Sequence, residues 1–251
     1  MDTGTLDNIH IVLVATSHPG NIGAAARAMK TMGLRSLQLV RPGSFPSAEV
    51  TARAAGADDI LAKAGLHDDL GSALAGCNFV AGTTARSRTL PWPVVDPERA
   101  ALELVKLSTT GSRVALLFGT ERSGLSNEEL EYCNTVVAIP TAPDYSSLNL
   151  AAAVQVLCYE IRKAAIKSSQ MDTGLPELEM VSVEQMSLLY EHLQKCLAEL
   201  DYLDPGNPRL LMRRLKRLFN RAQLDQNEYN ILRGILSAAE DAASAAKRAR
   251  K

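Results

Sequence analysis

The sequence predicts an α/β domain whose mostly parallel sheet is covered by helices, followed by a small all-helical appendage. Three observations predict it. Over the first two-thirds of the chain, short β-branched runs alternate with helix-like segments, the rhythm of strand–helix–strand units. Residues 168–180 (SSQMDTGLPELEM) then have the polar, Gly and Pro content of a connector. Beyond them come three helix patterns and no strand signal. The expected boundaries are 1–167 for the sheet domain, 168–180 for the linker and 181–251 for the helical domain.

The elements follow in order. Ile9 to Thr16 (IHIVLVAT) reads as a buried strand, SHPGNIG as a turn, and about Ile22 to Met32 as a small-residue helix closed by Gly33 at its C′ position. Ser36 to Arg41, Cys77 to Thr84, Val114 to Gly119 and Thr135 to Pro140 supply further strands, so the sheet has at least five. Pro97 opens a helix running to Leu107, and Ser126 with Glu129 has capping-box spacing. A long helix follows Ser147 and runs to about Ile166. In the appendage, the helices run from Ser182 to about Leu203, with Gln185 completing a second capping box, from Pro208 to Gln223, and from Asp225 to about Ala246.

Bulk properties narrow the function classes. Residues Met1 to Asn8 carry no basic segment of the secretory kind, and no apolar run approaches the roughly 18 residues of a membrane span, so a cytoplasmic protein is expected. Four scattered cysteines (Cys77, Cys133, Cys158, Cys196) fit buried thiols better than a zinc site or disulfide scaffold. The four histidines are equally dispersed, so metal-free chemistry is expected. The net charge of −1 hides an asymmetry: Pro205 to Lys251 carries 11 Lys and Arg against 4 Asp and Glu. A basic end of this kind suits a polyanion, with a solvated helix face as the alternative.

Three loops each follow a strand and precede a helix, where open parallel sheets bind ligands. The first, Ser17 to Arg27, has its glycines at G-x-x-G, the wrong spacing for the dinucleotide or phosphate-loop fingerprints, which leaves a nicotinamide oxidoreductase remote. The others are LLFGTERSGLS (Leu116 to Ser126) and AIPTAPDYSSLNLA (Ala138 to Ala151). With AGTTARSR (Ala81 to Arg88) they gather main-chain groups at the strand ends.

Three motifs recur in order: N-x-G-x-x-x-R (Asn21, Gly23, Arg27), F-G-x-E-x-x-G-L (Phe118 to Leu125) and I-P…S-S-L-N-L-A. Together they resemble the SPOUT class of S-adenosylmethionine-dependent methyltransferases, and within it the TrmH-like RNA 2′-O-methyltransferases. Including ARSRTLPWP and the C-terminal NILRGIL, the resemblance spans essentially the whole chain, to members that methylate the ribose of cytidine or uridine at position 32 in the tRNA anticodon loop. It implies a C-terminal trefoil knot in the sheet domain, an exception to the avoidance of knots. It implies S-adenosylmethionine as cofactor, contacted at Thr83, Thr84, Ala85, Gly119, Ile139, Ser146, Ser147 and Leu148. It implies Arg27, Asn21, Glu121, Ser147 and Asn149 as catalytic positions, tRNA as substrate, and a homodimer whose active site is completed across the interface.

The residues themselves leave alternatives open. Arg27 is the lone charge among Ala24, Ala25, Ala26 and Ala28. Because a guanidinium is hardly ever neutral in a protein, it suits a phosphate clamp that stabilises a developing alkoxide better than a general base. Asn21 also reads as a helix N-cap, Ser147 and Asn149 as caps of the long helix, and Glu121 as a residue fixing its turn. Arg86 and Arg88, around the Pro-Trp-Pro turn holding the sole tryptophan, Trp92, suit RNA phosphates or a solvated loop. Arg213, Arg217 and Arg221 recur every four residues and read as a phosphate-facing side, with Leu211, Leu215 and Leu218 as the core side. The rival readings are a ribosomal RNA 2′-O-methyltransferase and a catalytically silent RNA-binding protein of the same fold.

Overall fold

The computed structural model describes residues 4–85, 93–168, 180–204, 206 and 210–249. The elements run α1 (Gly4–Asp7), β1 (Ile9–Val14), α2 (Pro19–Met32), β2 (Ser36–Val40), α3 (Ala48–Ala54), α4 (Asp58–Ala62), β3 (Gly65–His67), α5 (Leu70–Ala73), β4 (Cys77–Thr83) and β5 (Val94–Val95). Then follow α6 (Pro97–Thr109), β6 (Arg113–Phe118), α7 (Asn127–Leu130), β7 (Thr135–Val137), α8 (Leu150–Ser168), α9 (Val183–Glu199), α10 (Leu211–Ala222) and α11 (Gln226–Ala249).

Seven strands form one sheet in the order β3-β2-β1-β6-β4-β7-β5, and every pairing is parallel. Alternation along the strands divides the core. Ile9, Ile11 and Leu13 of β1, with Leu116 and Phe118 of β6, pack on one face beneath α2, α3, α6 and α8. Val12, Val14, Ala115 and Leu117 point to the other face, covered by Leu70 of α5, by Leu74 just after it and by Leu125 and Leu130 around α7. The chain leaves β1 toward β2 and leaves β6 toward β7, so the gap between β1 and β6 is the topological switch point.

The expected parallel α/β sheet and helical C-terminal region are present, with corrections at element ends. All five expected strands stop short of their expected last residues. Ala15 and Arg41 have φ of 48° and 47°, which turns the chain out of β1 and β2. The loops that gather at the carboxyl edge begin there. Two short strands, β3 and β5, were not legible, because three and two residues are too few to carry a period. Helix α2 starts at Pro19, whose fixed φ suits a first helical turn; its N-cap is His18, whose Nδ1 accepts from Gly20 N, and not Asn21. Both capping boxes are formed, Ser126–Glu129 on α7 and Ser182–Gln185 on α9, although α7 lasts only one turn. All four cysteines are buried free thiols, and burial pushes those of Cys77 and Cys158 up to about 12.

The appendage has a small core of its own, built on Val181, Leu189 and Leu224 with Phe219, Tyr229 and Leu232. The reading of Leu211, Leu215 and Leu218 as core is overturned: Leu218 is 46% exposed, and none of the three joins that cluster. Phe219 and Asn220 are the inward residues of α10 instead. The appendage docks near the amino ends of β4 and β7, where Gly76 N donates to Glu184 Oε1 at 2.7 Å and Asn78 Nδ2 to Met180 O at 2.9 Å. Among the described residues, no helix is long and apolar enough to cross a membrane, and no group of His, Cys, Asp and Glu is placed to hold a metal ion.

Candidate active site

Glu121 sits just beyond β6 and reaches across the switch point to the turn after β1. Its Oε2 accepts from Ser17 N (3.1 Å) and Ser17 Oγ (2.9 Å), and its Oε1 accepts from His18 N (3.1 Å) and Asn21 Nδ2 (2.9 Å). Burial opposes the charged form. The hydrogen bonds from Asn21 and from the backbone of Glu121, Ser17 and His18 outweigh it and hold the carboxyl at about 2. Asn21 passes the connection on, its Oδ1 accepting from Asn149 Nδ2 at 3.0 Å. Asn149 Oδ1 in turn accepts from Ala151 N and Ala152 N, which start α8. A single chain of polar contacts therefore ties β1's turn, β6's loop and the start of α8.

Beside this chain lies a pocket of about 110 Å³ at the carboxyl edge. All eight positions expected to contact the methyl donor line it: Thr83, Thr84, Ala85, Gly119, Ile139, Ser146, Ser147 and Leu148. Phe118, Val137, Leu150 and Ala153 add an apolar wall, and Glu121 contributes a carboxylate at the rim. The backbone is shaped for close approach. A Cβ on Gly119 would fall 2.1 Å from Gly124 C and Leu125 N, so only glycine lets the loop fold back on itself. Helix α8 begins at Leu150 rather than directly after Ser147, so Ser146, Ser147 and Leu148 stay exposed outside the helix. The larger cavity, about 250 Å³, lies elsewhere, between the sheet domain and the appendage.

The structure brings together Asn21, Glu121 and Asn149 and sets Ser147 in the pocket wall; it does not bring Arg27 to them. Arg27 is exposed on α2 and is absent from the pocket lining. Gly23, one turn before it, has a plain physical reason. A Cβ there would fall 2.1 Å from Val50 O, because α3 crosses α2 at that point. The sequence reading missed Ser17 and His18. Pro19 was the available signal, since a proline at N1 puts the cap at residue 18. Arg86, Arg88 and Trp92 lie outside the described residues, as does most of the expected linker.

The basic helix needs a correction. Arg213 does not face outward: its Nη2 and Nε lie 2.7 Å from Glu128 Oε1 and Glu131 Oε1 of the sheet domain. Lys216 Nζ reaches Glu131 Oε2 at 3.1 Å. The outward side of α10 carries Arg214 and Arg221, with Arg217 half-buried beside them. A spacing of four residues gave the right periodicity and left the facing direction undetermined.

The chain is similar to known proteins along most of its length. Residues 8–159 match the model of the SpoU rRNA Methylase family, and residues 184–249 match the C-terminal domain of the tRNA methyltransferase TrmJ. The chain is 50% identical over 240 residues to the tRNA (cytidine/uridine/adenosine-2′-O-)-methyltransferase TrmJ of Pseudomonas aeruginosa (strain UCBPP-PA14), covering 92% of this chain and 93% of that one. Among solved structures, TrmJ from Z. mobilis ZM4 superposes with a TM-score of 0.80 at 33% identity, covering 92% of this chain and 98% of that one. The SpoU methyltransferase AviRb from Streptomyces viridochromogenes, solved with the cofactor AdoMet, shares the fold at a TM-score of 0.51 and 22% identity, covering 63% and 60%.

Proposed function

This chain belongs to the SpoU rRNA Methylase family, and from that premise we propose that it transfers the methyl group of S-adenosylmethionine to a ribose 2′-hydroxyl of tRNA. The observation that carries the reading is the carboxyl-edge pocket, where all eight expected donor positions meet the Glu121–Asn21–Asn149 chain. The helical region favours tRNA over ribosomal RNA, because residues 184–249 match a tRNA methyltransferase domain. The division of labour follows: 1–167 for donor and chemistry, 168–180 as linker, 181–251 for tRNA. The trefoil knot implied by family membership belongs to the same reading, as does a cytoplasmic location, where the substrate is found.

The pocket's residues fit the donor: an apolar wall suits an adenine ring, while hydroxyls, turn amides and the Glu121 carboxylate suit a zwitterionic, cationic chain. S-adenosylmethionine supplies an electrophilic methyl group. The protein must align the hydroxyl and manage its proton. Glu121 is a poor base, with four donors on its oxygens and a carboxyl held at about 2. Asn21 and Asn149 are neutral amides that set loop geometry. Arg27 then clamps an RNA phosphate and stabilises the developing alkoxide, and the proton leaves to phosphate or water.

Because Arg27 stands outside its own pocket, it serves the partner's site in a homodimer. The outer side of α8, which packs on α2, supports one: Tyr159 and Ile166 are 53% and 41% exposed and stand two turns apart on the helix. The test is incubation with labelled S-adenosylmethionine and unmodified tRNA transcripts, with the product mapped by mass spectrometry. Label on a ribose in the anticodon loop, expected at position 32, supports the reading. Label on no tRNA refutes it, and label on ribosomal RNA alone favours the rival.

A further inference from the structure

The segment between the two donor-binding loops is held from outside the sheet domain. Residues 127–134 connect the loop Gly119–Ser126 to β7, and Val137 and Ile139 on the far side line the same pocket. Helix α10 grips this segment at three points. Arg213 pairs with Glu128 and Glu131, Lys216 pairs with Glu131, and Asn220 Nδ2 donates to Glu131 O at 2.8 Å. Asn134 Nδ2 returns a bond to Asn220 O at 2.9 Å, while Asn134 Oδ1 accepts from Val80 N on β4, three residues before Thr83.

These contacts are placed to matter. The Glu131 side chain is 14% exposed, and the two cations reach its two carboxylate oxygens, Arg213 at Oε1 and Lys216 at Oε2. The 250 Å³ cavity opens alongside, lined in part by Glu131, Asn134, Lys216 and Asn220, while Val183 of α9 packs on the core cluster that holds Leu130 and Cys133. The hydrogen bonds and ion pairs from α10 to residues 127–134 are those of the polar clamp.

We propose that Arg213, with Lys216, is a positioning residue for the methyl-donor site, holding residues 127–134 and through them both flanking loops in the geometry that receives S-adenosylmethionine. The appendage thus has a second task beyond RNA binding. The inference rests on the assignment of the carboxyl-edge pocket to the donor. RNA phosphate contact falls to Arg214, Arg217 and Arg221.

Calorimetric titration of S-adenosylmethionine into the full-length protein, without RNA, tests this. Arg213→Gln is expected to raise the donor Kd and KM by about fivefold, the lower range of coupling between sites, with kcat at saturating donor kept within about twofold. Arg213→Lys, which retains the charge, recovers most of the affinity. Glu128→Gln neutralises one of the two ion pairs of Arg213 from a 71% exposed position where folding is not at risk, and shifts the donor Kd in the same direction by less. Arg214→Gln/Arg221→Gln weakens tRNA binding and leaves the donor Kd alone. Donor affinity in Arg213→Gln and Glu128→Gln equal to wild type, even with a lowered Tm, overturns the proposal. Failure of the wild-type protein to bind the donor would instead refute the pocket assignment.

Discussion

Four donors converge on the Glu121 carboxylate, so an amide at that position meets a mismatch. In Glu121→Gln the new NH₂ faces N–H or O–H groups that also donate. The expected loss is on the order of 1–2 kcal/mol of stability at neutral pH, the lower end for hydrogen bonds to a charged group because the site is only partly buried. The pH dependence has a definite sign. The folded carboxyl is held at about 2, below its ordinary 4.5, so its stabilising contribution is complete above about pH 4.5 and is lost as pH falls toward 2. Urea denaturation of wild type and variant at several pH values should give a constant gap above about pH 4.5 that narrows below it. A gap independent of pH would mean that the carboxylate's charge is not what organises the turn. Activity should fall in the same variant, since Asn21 and Asn149 lose their anchor.

At the scale of elements, the α2–α3 crossing turns one motif glycine into a packing requirement. Gly23→Ala sets a methyl group 2.1 Å from Val50 O and 2.9 Å from Ala54 N, both backbone atoms that cannot rotate away. The helices must separate, with an expected cost of about 1–3 kcal/mol, as for overpacked cores, and a lower Tm by differential scanning calorimetry. An unchanged Tm would show that α3 yields freely. Much of this level was legible from sequence: the apolar run IHIVLVAT, the capping boxes and Pro97 each describe one element locally. What was not legible depended on a partner distant in the chain. His18 and Ser17 matter because of Glu121, more than a hundred residues away, and the inward side of α10 is set by Glu128 and Glu131. Helical spacing places Arg213, Arg217 and Arg221 near one another but carries no information about which side the sheet domain occupies.

For the whole molecule, the proposed use of Arg27 in the partner's pocket predicts that activity requires a dimer. In the proposed two-fold assembly through α8, each pocket would pair with the Arg27 of the other subunit. Mixing two inactive proteins tests this. One carries Arg27→Ala and keeps its pocket; the other carries Gly119→Val, which disrupts the loop that lines the pocket and keeps Arg27. Each homodimer lacks a complete site under any arrangement. In the heterodimer, the intact pocket of the first subunit meets the intact arginine of the second, so one site in two is restored. Equal mixing with free exchange makes half the dimers mixed, and activity should recover to about a quarter of wild type. If Arg27 acted within its own subunit, the same mixture would remain inactive, because the intact pocket and the intact arginine would lie in different chains. Tyr159→Glu/Ile166→Glu supplies the complementary measurement: charges on the outer side of α8 should give a monomer by analytical ultracentrifugation that binds donor without methylating tRNA. A fully active monomer would place the whole reaction within one subunit and leave the exposed α8 stripe without a role in catalysis.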